Sequence, residues 1–126
     1  MKRCAAVVII VMILATFALP AEAYTVTVRN GCKTPIAVTV WGEHLFWNQK
    51  DCEVNVAAGA SGSCHTPTGI CPKWFKYNET YEGRTRTIEC GPGLPMCRSL
   101  EVIFVDTYGY CKVENWSDCH EEWQGL

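Results

Sequence analysis

The segment 24–31, with the sequence YTVTVRNG, decides the predicted fold class. Its two valines, Val26 and Val28, fall on one face of an extended chain and its threonines fall on the other, which is typical of a strand with one buried face. The Asn-Gly pair at its end tolerates positive φ and favours a tight turn. The segment therefore predicts a β-strand that is closed by a turn.

Six further runs of strand-favouring residues follow at similar spacing, at 36–41, 53–56, 73–78, 84–89, 100–105 and 108–113. Residues 102–105, VIFV, are apolar on both faces and predict the most buried strand. Helical periodicity is absent, except that the tail after Asn115 favours one helical turn with Asp118 as its cap. The pattern predicts an all-β fold, namely a small disulfide-stabilised antiparallel β-sandwich or barrel of about seven short strands.

Residues 1–23 have the features of a signal peptide. A basic start is followed by an apolar run over 5–19 that only Thr16 interrupts, and the small residues Ala21 and Ala23 favour cleavage before Tyr24. A transmembrane anchor is the alternative, but the run is shorter than the roughly 20 residues that span a bilayer. We therefore expect a signal peptide at 1–23 and a single secreted domain at 24–126.

The cysteine count predicts a disulfide framework. Removal of the leader takes Cys4 with it and leaves eight of the nine cysteines, an even number in an exported chain. They are Cys32, Cys52, Cys64, Cys71, Cys90, Cys97, Cys111 and Cys119. Because no Cys-x-x-Cys pair occurs and exported thiols oxidise, we expect neither a metal site nor a cofactor.

A purely local pairing is one hypothesis for these bridges. Cys64 and Cys71 bound a six-residue loop rich in turn-forming residues, and so do Cys90 and Cys97. The pairs Cys32–Cys52 and Cys111–Cys119 would complete the scheme. Eight cysteines allow about 100 pairings, so the sequence leaves the alternatives open.

Charge excludes one class of partner. Without Lys2, Arg3 and Glu22, the 11 basic and 13 acidic side chains fall to 9 and 12, a net charge of −3. The basic residues are scattered, so we predict no nucleic-acid interface and no polybasic membrane patch.

Two sequons make Asn78 and Asn115 candidates for N-glycosylation, with Asn78 the better one.

Catalysis is not expected. The three histidines, His44, His65 and His120, lie in no nucleophile, zinc-helix or phosphate-loop motif. A glycosidase needs two carboxylates across a cleft, and no acidic pair stands out.

The segment 41–47, WGEHLFW, is the candidate binding element, because connecting segments are usually polar and this one is rich in aromatic residues. If it is exposed, Trp41, His44, Phe46 and Trp47 would form a recognition surface for an extracellular protein, a glycan or a membrane. The alternative is that Trp41 closes the core while Phe46 and Trp47 pack beneath the segment.

These observations predict a secreted, non-enzymatic binding protein with a toxin-like, defence or host-directed effector role. Two other functions stay open. One is a protease-inhibitor module in which a Cys64–Cys71 bridge rigidifies the loop 65–70, and the other is a structural protein of the extracellular matrix.

Overall fold

The structure, a computed structural model, describes residues 23–122; the predicted signal peptide, apart from Ala23, and Cys4 lie outside the described residues. The described chain forms nine strands, and the all-β prediction is confirmed. They are β1 (Thr25–Gly31), β2 (Ile36–His44), β3 (Trp47–Val56), β4 (Ser61–His65), β5 (Pro72–Tyr81), β6 (Arg84–Cys90), β7 (Leu100–Thr107), β8 (Tyr110–Val113) and β9 (Cys119–Glu121).

The strands form two sheets. The four-stranded sheet has the order β4-β1-β7-β8, and the five-stranded sheet has the order β3-β2-β5-β6-β9. All neighbouring strands are antiparallel except β1 and β7, which are parallel. Within the described residues both sheets have free edges, so of the two predicted architectures the sandwich is the one that forms and not the closed barrel.

The core lies between the inner faces of the sheets. Val26 and Val28 of β1 are fully buried there, as the alternation of β1 predicts. The prediction for residues 102–105 is right for one face only: Val102 and Phe104 are fully buried, whereas Ile103 and Val105 point outward and are half-buried. Strand β7 nevertheless lies in the middle of its sheet, between β1 and β8.

Two strands, β4 and β9, differ from the sequence prediction. The sequence of β4, SGSCH, has the composition of a turn, but it pairs along β1 with Cys64 opposite Val26. The predicted helical turn in the tail is wrong, because Cys119 pairs with Cys90 of β6 and extends the five-stranded sheet. In both cases pairing with a distant strand overrides the local preference.

The bridges join Cys32 to Cys111, Cys52 to Cys64, Cys71 to Cys97 and Cys90 to Cys119. The local pairing scheme is therefore wrong in all four pairs. Three of the four bridges span between 26 and 79 residues, since strands that are distant in sequence bring the thiols together. The shorter bridge, Cys52–Cys64, links β3 at the edge of one sheet to β4 at the edge of the other.

Asn30 does not form the predicted turn with Gly31, because both residues belong to β1 and neither has positive φ. The Asn30 side chain is buried and its amide nitrogen donates to the carbonyl oxygens of Thr34, Val56 and Ala57 at 2.8, 3.2 and 3.3 Å. Its side-chain oxygen accepts from the backbone N–H of Cys32 at 2.9 Å. One side chain thus ties the end of β1 to the turn after β3.

Gly31 is required by close strand packing and not by a turn. A Cβ at this position would lie 2.7 Å from the carbonyl oxygen of Phe104, so only glycine lets β7 approach β1 this closely.

We predict that Asn30→Ala lowers the free energy of unfolding by about 2–3 kcal/mol, because it leaves buried backbone groups without partners. Asn30→Asp should be at least as damaging, since it keeps the shape but turns a carboxylate toward three carbonyl oxygens. Urea unfolding with the bridges intact measures both. Asn55→Ala, at an exposed position of β3, is the matched control and should cost less than about 0.5 kcal/mol. Equal losses for Asn30→Ala and Asn55→Ala would contradict this role of Asn30.

Candidate functional site

The aromatic segment 41–47 is a hairpin and not a loop. Strand β2 continues to His44 and β3 begins at Trp47, with these two residues paired and only Leu45 and Phe46 in the turn. Leu45, Phe46 and Trp47 are 87%, 90% and 55% exposed, and we call these three residues the hairpin tip. The alternative that Phe46 and Trp47 pack beneath the segment is wrong.

Trp41 is not part of this surface. It is half-buried beside Thr39 and Lys76, with its indole nitrogen donating to Thr39 Oγ1 at 3.1 Å. The ammonium group of Lys76 lies 4.3 Å from the centroid of the indole ring. Trp41 therefore neither closes the core nor joins Phe46 and Trp47.

His44 supports the hairpin tip from below. Its Nε2 lies 2.5 Å from Oδ1 of Asp51, whose side chain is completely buried, and its ring is parallel to that of Trp47, with centroids 6.2 Å apart. Gly42 makes room for this pair, because a Cβ there would clash with the Asp51 carboxylate. His44 thus positions Trp47 rather than offering a free imidazole.

Leu45 is the tip residue that sequence reasoning missed. With Glu43, His44, Trp47 and Ile70 it lines a shallow groove of about 570 Å³ on one side of the tip. Its position beside Phe46 in an apolar run is the signal that could have identified it.

A second concave region lies at the other end of the five-stranded sheet. The inner faces of β5 and β6 are apolar at Phe75 and Ile88, but nearer their connecting hairpin they carry Glu79, Arg86 and Arg84. A cavity of about 580 Å³ opens there; we call it the charged cleft. It is lined by Glu79, Arg84, Thr85, Arg86, Tyr110 and Glu121.

Tyr77 lies on the inner face of β5, two residues before Glu79. The phenol is buried and packs edge-to-face on Phe104, with ring centroids 4.8 Å apart. Burial first, and then the negative charge of Glu79, raise its pKa to about 12, against smaller opposing effects of a backbone hydrogen bond with Val113 and of Arg86. Tyr77 is therefore a core residue that titrates only at high pH.

The histidines do not converge on one site. His65 on β4 bonds through Nδ1 to Thr25 Oγ1 at 2.9 Å, and His120 on β9 lies 3.6 Å from the carboxylate of Glu89. Within residues 23–122, no group of three or more His, Cys, Asp or Glu side chains is placed to hold a metal ion.

The two sequon asparagines are both exposed. Asn78 on β5 accepts one hydrogen bond from the Thr87 hydroxyl at 3.0 Å, and its amide nitrogen has no hydrogen-bond partner within residues 23–122. Asn115 uses both ends of its amide on β7, accepting from the Ile103 N–H at 2.9 Å and donating to the Glu101 carbonyl at 2.8 Å. Glycosylation of either residue stays a prediction, and the geometry favours Asn78.

No family model, curated protein or solved structure matches this chain. The part of the chain that the structure describes contains no helix long and apolar enough to cross a membrane.

We predict that the free energy of unfolding falls as the pH rises from about 10 toward 12. The unfolded chain loses the Tyr77 proton near pH 10, whereas the folded chain holds it to about pH 12. The stability that the protonated phenol gives to the folded state is therefore fully present below pH 10 and is lost as the pH rises toward 12. Between pH 9 and 11 Tyr77 should account for a fall of about 1 kcal/mol in the free energy of unfolding, since one pKa unit corresponds to roughly 1.4 kcal/mol.

Urea unfolding at pH 9, 10 and 11 tests this, with Tyr77→Phe expected to flatten the dependence. Tyr108→Phe changes a tyrosine that is almost fully exposed and should leave the wild-type slope intact. The same slope in Tyr77→Phe and wild type would show that another group causes the loss.

Proposed function

We propose that the protein is a secreted, non-enzymatic binding module whose hairpin tip inserts into the interfacial region of a membrane. The observation that carries this proposal is the exposure of Leu45 and Phe46, each close to 90%, on a convex two-residue turn. Four disulfides indicate an oxidising, extracellular-type environment, which supports secretion.

The size of the hairpin tip favours a membrane over a protein partner. Its three side chains expose roughly 400 Å² of mostly apolar surface, because a whole aromatic side chain has a surface of about 150–250 Å². A stable protein interface needs about 800 Å² from each partner, and a convex tip also needs a matching pocket. A bilayer interface needs no pocket, because it accepts apolar side chains to a depth of roughly 5–10 Å.

The chemistry of Trp47 fits the same location. Its indole N–H donates to Gln49 Oε1 at 3.0 Å, and its ring borders the apolar turn. Tryptophan is enriched at membrane–water interfaces, where one end of the ring system is apolar and the other is wet. Polar residues follow directly along β3, beginning with Asn48 and Gln49, and would set the limit of insertion.

Charge around the hairpin tip is balanced. Lys73 lies 3.8 Å from Glu43, and Lys50 lies 3.6 Å from Glu53. Such pairs are weak, but they leave no excess of positive charge near the tip. We therefore expect the protein to bind zwitterionic membranes about as well as anionic ones.

The base of the hairpin is held by a buried hydrogen-bonded pair and by a disulfide bridge. The buried Asp51 bonds to His44, and the next residue, Cys52, is bridged to Cys64 on the opposite sheet. A preformed tip loses little conformational entropy on binding, so more of the apolar burial remains as affinity.

The rival functions have less support. The inhibitor hypothesis requires a bridge across the loop 65–70, but Cys64 is bonded to Cys52 and Cys71 to Cys97. No feature of the described chain favours a matrix role. A membrane-inserting tip fits a toxin-like, defence or host-directed effector role, because each of these acts on a foreign or neighbouring cell surface.

The test is sedimentation with phosphatidylcholine vesicles, with and without phosphatidylglycerol. We expect the wild-type protein to bind both kinds of vesicle. Phe46→Ala/Trp47→Ala should lower the partition coefficient at least about tenfold. A tenfold change corresponds to about 1.4 kcal/mol of binding free energy, and burial of each aromatic ring contributes more than that. Leu45→Asn is a second tip variant and should weaken binding in the same direction.

Tyr108→Ala is the matched control, since Tyr108 is 97% exposed but lies in the turn between β7 and β8. Its partition coefficient should equal that of wild type. Absence of vesicle binding by wild type, or an equal effect of the tip and control variants, would refute membrane insertion. Urea unfolding of each variant separates lost binding from lost folding.

A further inference from the structure

The charged cleft lies between two tight hairpins. The β5–β6 turn has Glu82 and Gly83 at φ of 51° and 76°, and the β7–β8 turn has Tyr108 and Gly109 at 50° and 90°. Two consecutive positive φ values give short turns that keep both hairpins narrow. The cleft between them, about 580 Å³, has the volume of a small-molecule site.

Glu79 and Arg86 form the fixed part of this cleft. The Glu79 side chain is only 4% exposed, and its Oε1 accepts from Arg86 Nη2 at 2.7 Å. A buried ion pair contributes little net stability, because desolvation offsets the attraction. The pair does, however, hold the Arg86 guanidinium in place. A guanidinium has five N–H donors, and one carboxylate does not use all of them. Arg86 remains 49% exposed, so it can also contact a ligand in the cleft.

Arg84 supplies a second guanidinium. It lies two residues before Arg86 on β6, so both side chains leave the same face of the strand. Arg84 is exposed and lies within 4 Å of no carboxylate in the described chain. Its charge is therefore available to a ligand.

The other groups at the cleft have mixed character. Tyr110 forms part of the opposite wall, and the ammonium of Lys112 lies 4.6 Å from its ring centroid. Glu121 and Thr85 complete the lining. In the lining, Arg84 and Arg86 balance Glu79 and Glu121, and Lys112 beside Tyr110 adds one positive charge next to the cleft.

We infer that the charged cleft binds the oxyanion group of an acidic sugar, with Arg84 and Arg86 holding the anion. Planar guanidinium groups match the oxygens of a carboxylate or a sulfate. The carboxylate of Glu121 and the hydroxyl of Thr85 can accept hydrogen bonds from sugar hydroxyls, which a simple inorganic anion lacks. The lining thus suits a molecule that has one anionic group and several hydroxyls.

This site is separate from the hairpin tip. Pro72 at the start of β5 lies opposite Gly42 near the tip, while Tyr81 at its end lies opposite Arg84. A ten-residue strand spans about 30 Å, so the two surfaces lie at opposite ends of the five-stranded sheet. With the tip in a membrane, the cleft would face away from it. Ligand binding in the charged cleft is therefore independent of the hairpin tip.

Titration of the whole domain with glucuronic acid, followed by NMR chemical shifts of backbone and arginine side-chain N–H groups, tests the inference. We expect saturable binding with a Kd on the order of 1 mM, shifts centred on β6 and β8, and no saturable binding of neutral glucose. Glucose 6-sulfate distinguishes a sulfate from a carboxylate as the preferred anion, and inorganic sulfate should bind more weakly than either sugar.

Arg84→Gln should weaken glucuronic acid binding about tenfold, the effect of one charge-assisted contact, without changing the urea midpoint. Arg98→Gln removes another exposed arginine, outside the cleft, and should change nothing. The tip variant Phe46→Ala/Trp47→Ala should bind the sugar like wild type, so failure of either proposal is visible separately. Equal binding of glucose and glucuronic acid, no saturation, or equal effects of the two arginine variants would overturn the inference.

Discussion

The Cys52–Cys64 bridge is the constraint on which both candidate surfaces depend. It joins the edge strand β3 of one sheet to the edge strand β4 of the other, so it fixes how the sheets face each other. Strand β4 alone has no apolar run that would hold it on the core, and the bond supplies what its sequence lacks. A small domain buries a limited core, so covalent links of this kind carry a large share of its stability.

The same alternation that builds the core also produces two chemically different ends. Along β2 the apolar inner face ends at the hairpin tip, where apolar side chains continue into solvent at Leu45 and Phe46. Along β5 and β6 the inner face instead changes to Glu79, Arg86 and Arg84 toward the opposite hairpin. One end is therefore convex and apolar, and the other is concave and charged. Surfaces so unlike each other suit two different ligands rather than one extended partner.

Buried polar groups show where the fold accepts a cost. Asn30 is fully hydrogen-bonded, so its burial holds the end of β1 without leaving an unpaired group. Asp51 is different: one carboxylate oxygen contacts His44, while Oδ2 has no hydrogen-bond partner among the described residues. The unpaired oxygen costs free energy, whereas the other oxygen of the same carboxylate orients the His44 ring that supports Trp47. The Asp51–His44 pair lies directly beneath the surface proposed to bind.

The sequence by itself determined the fold class and seven of the nine strands, because alternation over segments such as 24–31 depends only on neighbouring residues. It also suggested Phe46 and Trp47 as candidate binding residues, since an aromatic cluster beside a turn is a local signal, but it left open whether they are exposed. Only the tertiary structure decided the bridge pattern, the strands β4 and β9, the separation of Trp41 from the hairpin tip, and the charged cleft. Each of these depends on residues far apart in the chain that strand pairing brings together. The conformational preference of a short segment does not depend on residues far along the chain, whereas the register of the paired strands determines which of those residues come into contact.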